Sequence, residues 1–332
     1  MSVEPTFISV VIPVYRSERI LPVLCERLSA SLLELNQPFE IILVDDRSPD
    51  GSWKVMRQLA ETSASIIAVR LARNFGQHYA ITAGLDIACG EWTVIMDSDL
   101  QDRPEEIPRL LAMAGQGYDI VLARRKIRRD TPGKRLLSRL FYGMFHLLSG
   151  YRMDPAVGSF RIMHRRVVEA YRSMRETARL FGGLIEWLGF DSTYLDVEHA
   201  ARYEGSSSYN IRSMVRLALD GIIAFSNRPL YLSIGVGVLM AVLATGFGVA
   251  LIVRYLINPS IGVPGWLSTV TLTTLIGGLI LLNLGILGVY VGRIYDQTKR
   301  RPLYVIDRIV CQAAAMRQMP STSLLSKENG YT

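Results

Sequence analysis

The sequence predicts an α/β domain built on a mostly parallel, doubly wound sheet, followed by two membrane-crossing helices. Three observations carry this. Short Val- and Ile-rich runs alternate with helix-length segments through the first half of the chain. Acidic residues gather where those runs end. After Pro229 the composition turns abruptly apolar, with two stretches long enough to span a bilayer.

The runs are Ser9 to Tyr15, Ile41 to Asp46, Ile66 to Leu71, Trp92 to Asp99 and Asp119 to Arg125. Near-continuous apolar strands of this kind are covered on both faces. Between them lie expected helices over Glu18 to Leu35, Ser52 to Thr62, Gln77 to Cys89 and Glu105 to Gln116. In such a sheet ligands sit beyond the carboxyl ends of the strands, where Tyr15, Asp45, Asp46, Asp97 and Asp99 all fall. Asp97 and Asp99, in Met96-Asp97-Ser98-Asp99-Leu100, suit a hard divalent cation that keeps open positions for phosphate oxygens. An isolated Asp-x-Asp more often just ends a strand. Here Gln101, Asp102 and the helix-opening Pro104-Glu105-Glu106 follow, and Asp45-Asp46 ends an earlier strand in the same way.

Negative observations narrow the ligand. No G-x-G-x-x-G fingerprint follows the first strand and no Walker A loop occurs, which argues against dinucleotide oxidoreductases and P-loop ATPases. Arg73-Asn74-Phe75-Gly76-Gln77 places a guanidinium and a helix N-terminus where both could face an anion, and it fits a plain helix start equally well. Cys25, Cys89 and Cys311 lie too far apart for a disulfide framework or a zinc site and read as packing residues.

Charge and hydropathy point to a membrane. The 332 residues are 49% hydrophobic with positive mean hydropathy, and the formal net charge is +7. No nucleic-acid motif with aromatic interleaving is present, so the excess charge is assigned to membrane and phosphate groups, with no nucleic-acid partner. Arg124, Arg125, Lys126, Arg128, Arg129, Lys134 and Arg135 lead into an amphipathic segment at about 135–149. There Ser138, Arg139, Tyr142 and His146 face away from Leu137, Leu140, Phe141, Met144 and Leu148. A basic amphipathic helix suits a lipid headgroup layer, and a core-facing helix is the alternative. Asp154 stands before Pro155 in a turn-forming context, and Arg202 to Tyr209 is a polar, glycine-containing loop.

The domain reading is a cytosolic domain over 1–210, a juxtamembrane amphipathic helix over 211–228, two spans over 229–292 and a cytosolic tail over 293–332, partly disordered. The spans, Leu230 to Val253 and Leu267 to Gly292, are joined by a loop with Arg254 alone, whereas Arg212, Arg216 and Arg228 precede them and Arg293, Lys299, Arg300 and Arg301 follow. The positive-inside bias puts both ends in the cytoplasm, and the N-terminus shows no signal peptide.

The segments VVIPVY, VDDRSPDGS, ARNFGQHYAITAGL, MDSDLQDRPEEIPRL, Asp154 to Arg161 and GILGVYVGRIYDQTKRRPLY together resemble the polyprenyl-phosphate glycosyltransferases of glycosyltransferase family 2, in family order, over about residues 5 to 310. The resemblance implies a GT-A, Rossmann-like fold and a bacterial inner-membrane location. It implies a nucleotide-diphosphate sugar donor, Mg²⁺ or Mn²⁺, and a polyprenyl (undecaprenyl) phosphate acceptor. UDP-glucose and UDP-formamido-arabinose both fit as donors, for cell-envelope glycan or lipid A modification. It implies that Asp97 and Asp99, with Gln101 as a third ligand, hold the metal. Pro13, Tyr15, Glu18, Asp46, Arg73, Asp97 and Ser98 would form the nucleotide-sugar site. Arg125, Arg128, Lys134, Arg202 and Ser207 would meet the acceptor phosphate. Asp154, with Arg125, Arg128 and Arg202, would serve catalysis, and the chain would form a homo-oligomer, up to a tetramer.

Departures from the family pattern are Arg16, where relatives often carry Asn, Ser208, where they often carry Lys, and Val289, where an acid is common. Lys134 and Arg212 are candidates to replace the missing lysine. A processive polysaccharide synthase, which usually has more spans and a Q-x-x-R-W motif absent here, and a non-catalytic nucleotide-binding scaffold are the competing readings.

Overall fold

A computed structural model describes residues 8–125, 156–177, 179–198, 226–257 and 265–312. They form two units, one built on the sheet and one on two long helices. In the sheet unit the order is β1 (Ile8–Val14), α1 (Leu21–Leu33), β2 (Phe39–Asp45), α2 (Ser52–Thr62), β3 (Ile66–Leu71), α3 (Gln77–Ile87) and β4 (Trp92–Ile95). There follow α4 (Ile107–Ala114), β5 (Ile120–Arg125), β6 (Val157–His164), α5 (Arg165–Ser173), α6 (Phe181–Trp187) and β7 (Ser192–Val197). The helical unit holds α7 (Arg228–Ile257) and α8 (Trp266–Thr298), after which β8 (Ile306–Val310) belongs again to the sheet unit.

The eight strands lie in the order β7-β5-β6-β4-β1-β2-β3-β8. β4, β1, β2 and β3 are mutually parallel, as are β5 and β7, while β6 and β8 run antiparallel to their neighbours. Every residue of β1 is buried, as a strand covered on both faces requires. Ile8, Val10, Ile12 and Val14 pack with Leu21, Leu24, Leu28 and Leu32 of α1. On the other face α3 lies so close that a Cβ on Gly84 would sit 2.3 Å from Val11 Cγ1 and 3.2 Å from Val44 Cγ2.

Element boundaries depart from the sequence reading where local chemistry intervenes. The run expected as a strand to Asp99 ends at Ile95, because Asp97 to Asp99 turn into the site. The helix expected over Glu105 to Gln116 is a 3₁₀ turn, Pro104–Glu106, then α4. Within the stretch read as a tail, Ile306–Val310 pairs with β3, and Ala72 N–H donates to Val305 C=O at 2.8 Å. Two further contacts fasten it. Tyr304 Oη donates to Asp86 Oδ2 at 2.6 Å, with Arg175 clasping the same carboxylate at 2.7 and 3.0 Å, and Arg47 pairs with Asp307 at 2.9 Å. The amphipathic segment at 135–149, most of 211–228 and the tail beyond 312 lie outside the described residues.

In the helical unit, Leu230–Ala250 and Leu275–Thr298 are long and apolar enough to cross a membrane, and neither is buried within the protein. Leu239, Val242, Phe247, Leu281 and Leu284 all stand exposed. So much contiguous apolar surface calls for a non-aqueous neighbour. Tyr290 Oη donates to Ser226 C=O at 2.8 Å, joining α8 to the residues that lead into α7.

The close approach of α3 yields a stability test. Gly84→Ala forces a methyl into Val11, and overpacking of this kind costs about 2 kcal/mol, or roughly 4–8 °C of melting temperature for a unit of this size. Differential scanning fluorimetry of the full chain in detergent checks it. An unchanged melting temperature would contradict the packing described.

Candidate active site

Asp97 is the centre of the site. Met96 N–H still bonds to Val11 C=O at 3.2 Å, after which the chain leaves the sheet and Asp97 is presented at the carboxyl end of the central strands. Its Oδ1 accepts from Gln77 Nε2 at 2.7 Å and from Ser159 Oγ at 2.8 Å. Both donors meet the same oxygen, so Oδ2 is the one available to a cation. Burial holds this carboxyl above the usual carboxylate range, and Asp99 adds to the rise, while Ser159, Arg125 and Gln77 oppose it.

The turn after Asp97 is strained and internally bonded. Leu100 is buried with φ 58°, a left-handed conformation that is rare for a bulky side chain and that concentrates at functional sites. Gln101 N–H donates to Asp99 Oδ1 at 3.1 Å. Asp102, which the sequence reading noted only as a neighbour, is buried and accepts from the Asp97 backbone N–H. Its carboxyl is pushed up to about 7, first by burial and then by the charge of Asp97, with Arg125 opposing. Arg125 closes β5, its N–H donating to Ala156 C=O at 3.0 Å. Gly158 packs beside this guanidinium, and a Cβ there would meet its Nη2 at 3.4 Å, an ordinary contact.

The loops after β1 and β2 are joined to this turn. Ser17 Oγ and Ser98 Oγ share a hydrogen bond of 2.8 Å, and Ser17 N–H donates to Ser52 Oγ at 2.9 Å. Pro13 is buried in β1 opposite Val44, whereas Tyr15 is 46% exposed beyond the strand end. Glu18 accepts from Gly51 N–H at 2.9 Å at the start of α2. Asp46 accepts from Phe75 N–H at 2.7 Å and Gly76 N–H at 2.8 Å. The helix start at 73–77 therefore spends two backbone donors on a protein carboxylate. Arg73 lies exposed with its guanidinium 4.1 Å from the Phe75 ring centre. Fully buried Asp45 accepts from Ser48 N–H at 2.8 Å and sits 3.4 Å from Arg70 Nε, a charge contact without hydrogen-bond alignment.

The structure thus brings Pro13, Tyr15, Glu18, Asp46, Arg73, Asp97, Ser98, Asp99, Gln101 and Arg125 to the carboxyl end of the strands. Arg128, Lys134, Asp154, Arg202 and Ser207 lie outside the described residues. The reading missed Gln77, Ser159 and Asp102, which are polar residues without a short motif of their own. Among the described residues no group of three or more His, Cys, Asp or Glu side chains is arranged to hold an ion alone. The Asp97 and Asp99 carboxylates repel one another and one Asp97 oxygen is left open, which is chemistry that suits a hard divalent ion such as Mg²⁺ or Mn²⁺.

Behind Gln77, His78 carries a buried Nδ1 with no hydrogen-bond partner. Burial, reinforced by Arg161, lowers its pKa from 6.5 to about 4. Unfolding therefore takes up a proton: this contribution to stability is complete above pH 6.5 and is lost as pH falls towards 4. The melting temperature of His78→Gln is expected to fall less steeply than that of the parent between pH 7 and 4.5. The parent's excess slope is at most about 1.4 kcal/mol per pH unit. Parallel curves would show that the imidazole is not held neutral.

Residues 9–172 match the glycosyl transferase family 2. The undecaprenyl-phosphate 4-deoxy-4-formamido-L-arabinose transferase of Pseudomonas savastanoi pv. phaseolicola is 38% identical over 307 residues, 92% of this chain and 91% of its own. The transferase of the same name from Yersinia enterocolitica is 36% identical over 305 residues, 91% of this chain and 93% of its own. A Bacillus subtilis glycosyltransferase named YkcC is 34% identical over 302 residues, 90% of this chain and 93% of its own. Among solved structures, mannosyl-3-phosphoglycerate synthase from Rubrobacter xylanophilus overlaps 65% of this chain and 71% of its own at 18% identity, with a TM-score of 0.47. With relatives this similar over nearly the whole length, the chain belongs to glycosyl transferase family 2 and is a glycosyltransferase.

Proposed function

We propose that this glycosyltransferase is anchored in the bacterial inner membrane and moves one sugar, with inversion, from a nucleotide-diphosphate sugar to polyprenyl (undecaprenyl) phosphate. The donor is UDP-linked, of the glucose or formamido-arabinose type. The product serves cell-envelope glycan or lipid A modification. One observation carries the reading: a paired-carboxylate site at the carboxyl ends of parallel strands shares its chain with two exposed apolar helices. A water-soluble phosphorylated donor and a lipid acceptor need that combination. Relatives named for undecaprenyl-phosphate transfer support it across both parts.

The chemistry asks little of a general base. A phosphomonoester has a second pKa of about 6 and is already largely anionic at neutral pH. The lipid phosphate oxygen attacks the anomeric carbon, the bond to the donor diphosphate breaks, and the nucleoside diphosphate leaves. A bound Mg²⁺ or Mn²⁺ would neutralise the leaving diphosphate. Asp97, Asp99 and Gln101 would hold that ion, and Asp97 is kept in place by Gln77 and Ser159. Pro13, Tyr15, Glu18, Asp46, Arg73 and Ser98 frame the nucleotide. Arg125, Arg128, Lys134, Arg202 and Ser207 compensate the acceptor phosphate, and Asp154 orients the acceptor cluster or the sugar. The catalytic domain and both termini face the cytoplasm, and the protein works as a homo-oligomer.

Two experiments test this. Radiolabelled UDP- and GDP-sugars are offered with undecaprenyl phosphate in detergent, with Mg²⁺ or Mn²⁺ or with EDTA. Labelled lipid from a single UDP-sugar is expected, and EDTA abolishes it. Asp99→Asn lowers turnover by about 100-fold or more. Lipid product undiminished by EDTA and by this substitution would overturn the metal assignment. Donor binding with no lipid product from any sugar would favour a non-catalytic scaffold. Secondly, Asp154→Asn is expected to reduce turnover at every pH, and recovery in alkaline buffer would assign Asp154 to proton transfer instead.

A further inference from the structure

The antiparallel strand β6 carries Ser159 to Asp97, and its route there is irregular. Leu122 of β5 pairs with Arg161, but Arg124 pairs with Val157, so β5 advances two residues while β6 advances four. On its other side β4 ends at Ile95, opposite Arg161. Gly158 and Ser159 therefore fall in a bulge where the ladder is interrupted on both sides. Bulges re-aim side chains beside active sites, and they leave backbone groups needing other partners.

Arg161 supplies those partners. Its Nε donates to Ser159 C=O at 3.1 Å and its Nη2 donates to Gly158 C=O at 2.8 Å. The guanidinium is buried at 5% exposure and lies 4.9 Å from the Phe181 ring centre, which braces it against α6. One forked side chain thus clasps the two peptides that point Ser159 Oγ at Asp97. The same two peptides place Gly158 beside Arg125. A planar fork suits this double contact, whereas an ammonium reaches one carbonyl at a time.

We propose that Arg161 is a positioning residue for the site: it holds the β6 bulge, and through Ser159 it fixes the Asp97 carboxylate for the ion and diphosphate. This rests on the reading of Asp97 as a metal ligand. Arg161 acts through its contacts with the Gly158 and Ser159 carbonyls and with Phe181.

The test uses the full chain in detergent with Ser159→Ala, Arg161→Met, Arg161→Lys and the Ser159→Ala, Arg161→Met double variant. Two readouts are taken: Mn²⁺ affinity in the presence of UDP by electron paramagnetic resonance, and hydrogen–deuterium exchange over residues 156–160. Ser159→Ala weakens Mn²⁺ about 10-fold, as loss of a group supporting a metal ligand does, and leaves exchange unchanged. Arg161→Met weakens Mn²⁺ by at least as much and accelerates exchange in 156–160 while α3 and β1 stay protected. The double variant binds no more weakly than Arg161→Met alone, and Arg161→Lys recovers part of the affinity. Additive losses, unchanged exchange in 156–160, or exchange that rises throughout the sheet would each overturn the proposal. If the parent binds no Mn²⁺, the metal reading fails, and exchange confined to 156–160 still decides whether the clasp exists.

Discussion

The structure depends on keeping one carboxylate, Asp97, at the end of a buried central strand. An anion withdrawn from water is tolerated only where donors replace the solvent. Here the donors come from two directions, Gln77 at the start of α3 and Ser159 on β6. Gln77 opens the helix that connects two parallel strands and would stand there in any parallel sheet, but Ser159 would not reach Asp97 without an antiparallel strand. Inserting β6 antiparallel between β4 and β5 brings a strand back past the end of β4, and its bulge turns the serine inward. The exception in the strand order is thus explained by the site it serves.

The surrounding loops are bonded to one another for a related reason. Arg16, Arg47 and Leu100, each in the connection that follows β1, β2 or β4, have φ of 57°, 56° and 58°. Non-glycine residues pay a conformational penalty there that the surroundings must offset. Cross-loop bonds do so: Ser17 with Ser98, Glu18 with Gly51, and Asp46 with Phe75 and Gly76. Asparagine adopts this conformation more readily than arginine. An asparagine at the position of Arg16, as the resemblance leads one to expect, would meet this backbone demand at lower cost.

What the sequence made legible follows from how each element is buried. β1 to β4 are covered on both faces and, with the buried first half of β5, write themselves as apolar runs, so their order and the acids at their ends were readable. β7 is an edge strand whose outward residues Ser192, Tyr194 and Asp196 are exposed, and it gives no such run. β8 hides in a charged segment, Ile306 to Val310, because only one of its edges is paired. Asp97 was readable from Asp-x-Asp, but its partners lie 20 and 62 residues away and are ordinary polar side chains. Asp45-Asp46 and Asp97-Ser98-Asp99 look alike as acidic strand ends. Folding separates them, since both oxygens of Asp46 hold the loop before α3 whereas Asp97 keeps one oxygen open.

β8 also changes the meaning of the chain's second half. Without it β3 would expose its ladder to pairing with another chain, a hazard that covered edges avoid. The strand is delivered by residues that follow α8, and it is fastened by Tyr304 and Arg175 on Asp86 and by Asp307 on Arg47. Asp86 lies on α3, the helix whose first residue, Gln77, holds Asp97. Arg47 follows β2 directly and sits beside Asp46, which anchors the loop leading into that same helix. The residues that follow α8 are therefore bonded to the helix whose first residue holds Asp97. Hydrogen bonds at both ends of one helix connect them, so β8 belongs to the architecture of the candidate site and not to an appended tail.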